Sequence, residues 1–432
     1  MHPARPISRA LLALGVSLAL VAGACSSDAG NDASDASTTT APDKKPTDPK
    51  PTSSSSQPDD GSGAGAEPEV FTEGDFYEVP DPLPDGDHGS LIRYQEVTPS
   101  LLDQGTTYRI MYRSESLEGD PIAVTGTAVV PAAPAPGGAS GGRPLLTIAH
   151  GTTGVADECA PSKDPGGELL LLGDAIDSGW LVAVTDYEGL GTPGRHPYLV
   201  GESEGRSTID AIVAAGALPE ADPGDQLAIA GYSQGGHGAL WANEVAATWA
   251  PDLDVVGTFA GAPATEMKII LAAAPAAFEL LVVAGFDAAY PEADPDTILT
   301  PLGVEKLPLV DQGCTADVFG ALGGIPRDDL VKPGAVDAEP WDRLAEENNP
   351  GTTKTDGPVL IIHSDADTTV PAALSGILFD RMCGLDQVVE RRVLTEGQDH
   401  GPAAPGAYAA GLIWLDERFA GDTEPKSSCP PA

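Results

Sequence analysis

Basic residues are scarce in this chain: 23 lysines and arginines stand against 65 aspartates and glutamates over 432 residues, a formal net charge of −42. A field of that sign repels nucleic acid and anionic lipid surfaces, so neither is expected as a partner. Metal-binding signatures are missing as well. The chain has no CxxC pair, no HExxH run and no Cys/His cluster, so neither a metal nor a cofactor is expected. Long apolar runs are also few. Ala10 to Ala24 is uncharged but too short to cross a bilayer, and the apolar stretch Ile269 to Phe286 is broken by Pro275 and Glu279, which argues against a span there.

The first 24 residues read as a targeting segment. Arg5 and Arg9 precede the uncharged run, which ends in Val21-Ala-Gly-Ala-Cys25, small residues before a cysteine. This resembles a bacterial lipoprotein signal, with Ala22 where leucine is commoner. The resemblance implies that Cys25 is lipidated and anchors an exported protein at the cell envelope; cleavage without lipidation would leave a secreted one. Residues 25–69 are mostly Ser, Thr, Asp, Pro and Gly, too few apolar side chains to offset chain entropy, and are expected to form a disordered tether.

Residues 70–429 remain, more than one simple core usually holds, which suggests a large α/β domain with an insertion. Leu145–Ala149, Trp180–Thr185, Leu227–Ala230, Val255–Ala260 and Val359–Ile362 are short apolar runs separated by helical stretches. They predict parallel strands buried on both faces, in a doubly wound sheet. Tyr108–Tyr112 and Ile122–Val130 alternate as antiparallel strands leading into it, 388–394 supplies a last strand, and Gly406–Phe419 a closing helix. About 262–350 carries no strand signal and is too long for a plain connection, so it is expected to form a helical cap. Its apolar part either meets an acyl chain or packs on the body.

Three Gly-x-Ser-x-Gly matches occur. Ser140 lies in a Pro/Gly/Ala-rich connection, and the match around Ser203 has only a short run before it and glutamates on both sides, unsuited to stabilising an oxyanion. Around Ser233, an apolar strand runs straight into Gly231-Tyr-Ser-Gln-Gly235 and then a helix. Such a turn leaves no room two residues either side of the serine and holds its hydroxyl up at the strand's carboxyl end. Ser233 is therefore the candidate nucleophile.

A serine hydroxyl needs a base, and the base a carboxylate. His400 follows the last strand, on what is expected to be a loop able to reach Ser233. Asp365 and Asp367 both sit just past a strand's end; Asp367 is preferred, four residues before Pro371, with Asp365 a candidate turn former. Two amides should meet the oxyanion: that of Gln234, at the start of the helix, and that of Thr152, in the loop His150-Gly-Thr-Thr-Gly154. His150 is expected to order that loop, and His237 to pack beneath Ser233.

Setting Cys25 aside, Cys159, Cys314, Cys383 and Cys429 are an even set, consistent with two disulfides in an exported chain. Pairing Cys159 with Cys314 and Cys383 with Cys429 keeps each bridge within neighbouring parts of the expected fold.

The segments His150–Asp157, Cys159-Ala-Pro-Ser162, Asp186–Gly191 with His196-Pro-Tyr198, Gly231–His237 and Asp367–Pro371, in that order, resemble the secretory lipase family, the lipase A type within the α/β-hydrolases. The resemblance runs from about Phe71 to Cys429. It implies an α/β-hydrolase fold with a helical cap, a Ser233–Asp367–His400 triad, and hydrolysis of acylglycerols or simpler carboxylic esters through an acyl-enzyme. Ser364-Asp365 departs from it, since a glycine usually precedes the family's acid. Peptidase or acyltransferase chemistry on the same triad is the alternative, as is an inactive surface-binding lipoprotein. Acyl-chain length, interfacial activation and oligomeric state are not written in the sequence.

Overall fold

Ten strands form one sheet in the computed structural model, which describes residues 67–97, 102–136, 141–421 and 424–430. The targeting segment, Cys25, Ser140 and all but the last three residues of the expected tether lie outside the described residues. The strands are β1 (Glu69–Val70), β2 (Leu91–Glu96), β3 (Gly105–Glu115), β4 (Pro121–Pro131), β5 (Arg143–Ala149), β6 (Leu181–Thr185), β7 (Pro223–Tyr232), β8 (Asp254–Gly261), β9 (Val359–Ser364) and β10 (Val389–Leu394). Their order is β1-β2-β3-β4-β6-β5-β7-β8-β9-β10. From β6 to β10 all neighbours are parallel, while β2, β3, β4 and β6 pair antiparallel.

The parallel strands explain their own sequence. Leu145, Leu181, Leu227 and Ile229 face one layer of helices; Leu146, Ile148, Val182, Ala228, Phe259 and Ile362 face the other. Both faces are dry, so the runs are apolar throughout. On the first face lie α2 (Gly201–Ala215) and α3 (Gln234–Trp249), with α11 (Ala372–Gly384) against β9 and β10. The second face holds the short α1 (Gly173–Asp177) and α12 (His400–Ala420).

Between β8 and β9 the chain is helical: α4 (Met267–Ala273), α5 (Ala276–Ala289), α6 (Pro295–Ile298), α7 (Pro301–Lys306), α8 (Thr315–Leu322), α9 (Arg327–Leu330) and α10 (Trp341–Glu347). Pro275 divides the apolar run into α4 and α5. These helices share a core of Leu280, Val283, Phe286, Val310, Leu330 and Trp341, which also takes in Tyr198 and Val200 of the body. Glu279 is fully buried within this layer and meets Arg327 at 2.8 Å; burial still pushes its carboxyl up to about 8. Arg195 reaches from the body to Asp287 and, in a two-pronged pair, to Asp311.

Two expectations need correction. β2 was not expected, because Leu91-Ile-Arg-Tyr-Gln-Glu96 puts an arginine in a buried position; there the Arg93 guanidinium donates to Phe76 O and Glu78 O and lies over the Phe71 ring. The closing helix starts at His400 rather than Gly406, despite Pro402 and Pro405. Pro402 falls in the first turn, whose amides have no intrahelical acceptor, and Asp399 caps the helix by accepting from the His400 amide; Pro405 lies inside the helix and costs it one backbone bond. The Gly-x-Ser-x-Gly match around Ser203 is no strand-to-helix turn: it lies inside α2, which begins at Gly201.

Candidate active site

Ser233 stands alone between β7 and α3, with φ 63° and ψ −120°. A non-glycine residue in that region is strained by roughly 1–3 kcal/mol and persists only where its surroundings impose it. The imposition is visible. A Cβ on Gly231 would lie 2.0 Å from Gly235 O, and one on Gly235 would lie 2.0 Å from Ala149 O. The Ser233 amide donates to Gly261 O at 2.9 Å and its carbonyl accepts from Ala264 and His237, which pins the turn to β8 and to α3.

His400 Nε2 lies 2.9 Å from Ser233 Oγ, and His400 Nδ1 lies 2.6 Å from Asp367 Oδ2. Asp367 is buried, while Asp365 is exposed. The Asp367 Oδ1 accepts from the Thr369 and Val370 amides at 2.9 and 2.8 Å. Burial pushes this carboxyl up, but hydrogen bonds from His363 and His400, the charge on His400 and the Val370 amide outweigh it and hold it well below the usual carboxylate range. It is thus an anion set against the imidazole that would take the serine proton.

Other supports escaped the sequence reading. His363 Nε2 stands 2.8 Å from Val370 O and 3.3 Å from Asp367 Oδ2, bracing the acid's turn. Asp399 Oδ1 accepts from both the Thr368 and His400 amides at 2.8 Å, joining the acid's loop to the base's helix. The Ser364 hydroxyl, at the position where the resemblance leads one to look for glycine, donates to Gln398 O and ties β9 to the same region. The Asp399 and Ser364 bonds to Thr368 and Gln398 reach across 31 and 34 residues, and no local motif announces them.

Gln234 opens α3, so its amide has no intrahelical acceptor. Its side chain is buried, with Nε2 2.8 Å from Glu204 Oε1 and 2.9 Å from His196 Nε2. Thr152 places its hydroxyl 2.8 Å from the Tyr198 hydroxyl. His150 faces Gly151 O and Asp186 O, and burial lowers its basicity; it orders its loop and does not reach the serine. His237 is fully buried between Glu204 Oε2 at 2.7 Å and Asn348 O at 2.9 Å. Because a carbonyl only accepts, His237 Nε2 is the donor to Asn348 O.

Two cavities meet at Ser233. One is a narrow apolar slot of about 110 Å³ between α4–α5 and the start of α11, walled by Leu199, Ile270, Phe278, Val282 and Leu374. The other is a wide cleft of about 900 Å³ beside Thr152, Glu168, Tyr232, Phe319 and His400. An ester straddling the serine would have one arm for each. Cys159 and Cys314 are joined across the cleft's rim (Cα–Cα 5.4 Å), and Cys383 is joined to Cys429 (5.6 Å). Among the described residues no cluster of His, Cys, Asp and Glu could hold a metal ion, and no helix is long and apolar enough to cross a membrane.

The family described as secretory lipase matches residues 164–426, a span that includes Ser233, Asp367 and His400 and begins after Thr152. A protein of Mycobacterium tuberculosis named as a probable inactive lipase is 27% identical over 77% of this chain and 79% of its own length. A secreted triacylglycerol lipase of Malassezia globosa is 24% identical over 80% of each. Among solved structures, Candida antarctica lipase A in its closed state superposes with a TM-score of 0.65 at 20% identity, covering 80% of this chain and 86% of that one. That likeness is one of fold, and the fold is the α/β-hydrolase fold.

Proposed function

The chain belongs to the secretory lipase family, and on that premise we propose that Ser233, His400 and Asp367 are the nucleophile, base and acid of a serine carboxylic-ester hydrolase. The observation that carries the reading is the unbroken relay from Ser233 Oγ through His400 to Asp367, at 2.9 and 2.6 Å. Ser233 Oγ attacks the acyl carbon while its proton passes to His400 Nε2, and the imidazolium is steadied by Asp367. The amides of Gln234 and Thr152 receive the oxyanion, each worth roughly 3–4 kcal/mol in the transition state. Collapse returns the proton to the departing alcohol and leaves an acyl-enzyme. Water, deprotonated by His400, then releases the acid and regenerates the serine.

The substrates are acyl esters. In this reading residues 262–350 form a cap: its α4 and α5 roof the apolar slot, which takes the acyl chain, and the wide cleft takes the alcohol, glycerol or a simpler one. The protein is exported, in keeping with its family and with two disulfides that need an oxidising compartment. Lipidation at Cys25, with 25–69 as a tether, would hold the enzyme at the envelope. A Cys25→Ser protein found in the medium, with the parent in the membrane fraction, is the expected outcome.

Full-length Ser233→Ala is expected to lose p-nitrophenyl ester turnover and fluorophosphonate labelling while keeping the parent's circular dichroism. Retained turnover would refute the assignment. The probable inactive lipase among the relatives points to the competing reading, a binding protein with a silent site. A parent protein that takes no fluorophosphonate would decide for it.

A further inference from the structure

Glu168 enters the wide cleft from a single turn of helix, Gly167–Leu171, and its Oε2 accepts the Gly151 amide at 3.1 Å. Gly151 directly precedes Thr152. The carboxyl therefore grips the loop that offers the second amide to the oxyanion, and Glu168 lines the cleft that also holds Ser233 and His400. Negative charge at this point would oppose the negative charge growing on the substrate, whereas a neutral carboxyl keeps the grip without the opposition.

Resting on the ester-hydrolase reading, we infer that Glu168 is a positioning residue: neutral, it fixes the Gly151–Thr152 loop for the oxyanion, and ionised, it turns that support into repulsion. Burial pushes its carboxyl up to about 7, against the opposing pull of the Gly151 amide that it accepts and of the nearby Tyr408 hydroxyl. The groups around it are Tyr408 on α12 and Tyr187 after β6, both raised by burial, and His150 on the loop itself, lowered by burial. Tyr232, His400, Glu158 and Asp164 line the same cleft. His400 must shed a proton before it can act, which makes activity rise with pH. Ionisation of Glu168 makes it fall.

The test is kcat/KM for a short p-nitrophenyl ester from pH 5 to 10, using full-length parent and Glu168→Gln. The parent should lose at least about tenfold between pH 7 and 9, and Glu168→Gln should lose less than about twofold across the same interval. Tyr408→Phe removes a hydroxyl that favours the ionised carboxyl, so it should move the parent's falling limb to higher pH. A limb unchanged in both variants overturns the inference and leaves the ester-hydrolase reading intact. A parent without any turnover sinks that reading, and this role with it. Thermal melting tests the proton without activity. Between pH 4.5 and about 7 the unfolded carboxyl is ionised and the folded one is not, so the parent's Tm relative to Glu168→Gln should fall across that window and level off above it. A flat difference also overturns the inference.

Discussion

The Tyr232 hydroxyl donates to the main-chain carbonyl of His400 at 2.8 Å, so the residue before the candidate nucleophile holds the residue that would serve it as base. Their rings also lie 5.1 Å apart. Tyr232→Phe keeps the ring contact and removes a bond worth about 0.5–1.5 kcal/mol. Turnover is expected to fall about threefold to tenfold with little change in KM, measured on one ester at fixed pH. An unaltered kcat would mean that Asp367 and Asp399 suffice to set the position of His400.

Asp399 has two duties, as cap of α12 and as acceptor of the Thr368 amide. Asp399→Ala should lower stability through the lost cap and lower turnover as well. Asp399→Asn can still accept both amide bonds and should recover most of each loss. Urea midpoints and initial rates on the three proteins check this.

Asp367 makes stability depend on acid. Its folded carboxyl is depressed, so the stability it contributes is present above its unfolded value of 3.8 and drains away as pH falls below that toward the folded value. In Asp367→Asn the acid side of the Tm–pH curve should be flatter than in the parent. Turnover should drop by a factor on the order of 10³ to 10⁴, because the amide no longer fixes the tautomer or balances the imidazolium. Equal acid sensitivity in both proteins would place the sensitive carboxyl elsewhere.

Acyl selectivity should follow the slot. Val282 is fully buried and Leu374 nearly so, and both line it. Val282→Phe should shift the acyl-ester preference toward acetyl and butyryl, and Leu374→Ala toward longer chains, read as ratios of kcat/KM across a series from acetyl to oleoyl. If neither ratio moves, the acyl chain lies in the wide cleft instead.

The sheet was legible where its strands are buried on both faces, because β5 to β9 then have to be unbroken apolar runs with helices between them. It was illegible at β2, where a buried arginine satisfied by distant carbonyls breaks the pattern. Ser233 could be singled out because the turn's steric demands act on residues two positions away. The setting of His400 could not, since it opens a helix that carries Pro402 and Pro405 and so lacks a clean helical signal in its first two turns. Asp399, His363 and Glu168 left no local trace: each acts on a backbone group or side chain that only the folded chain brings within reach.

The two disulfides divide the chain unequally. One closes residues 159–314 and so encloses Ser233; the other closes 383–429 and encloses His400; Asp367 belongs to neither. Among the described residues no covalent cross-link therefore spans the exposed loop at Thr352–Lys354, between α10 and β9. A single proteolytic nick there would leave the serine on one fragment and its two partners on the other, joined only by non-covalent contacts such as the packing of β9 against β8 and of α12 against β7 and β8. A protease able to cut at Lys354 would hold the means to silence the enzyme without touching its chemistry.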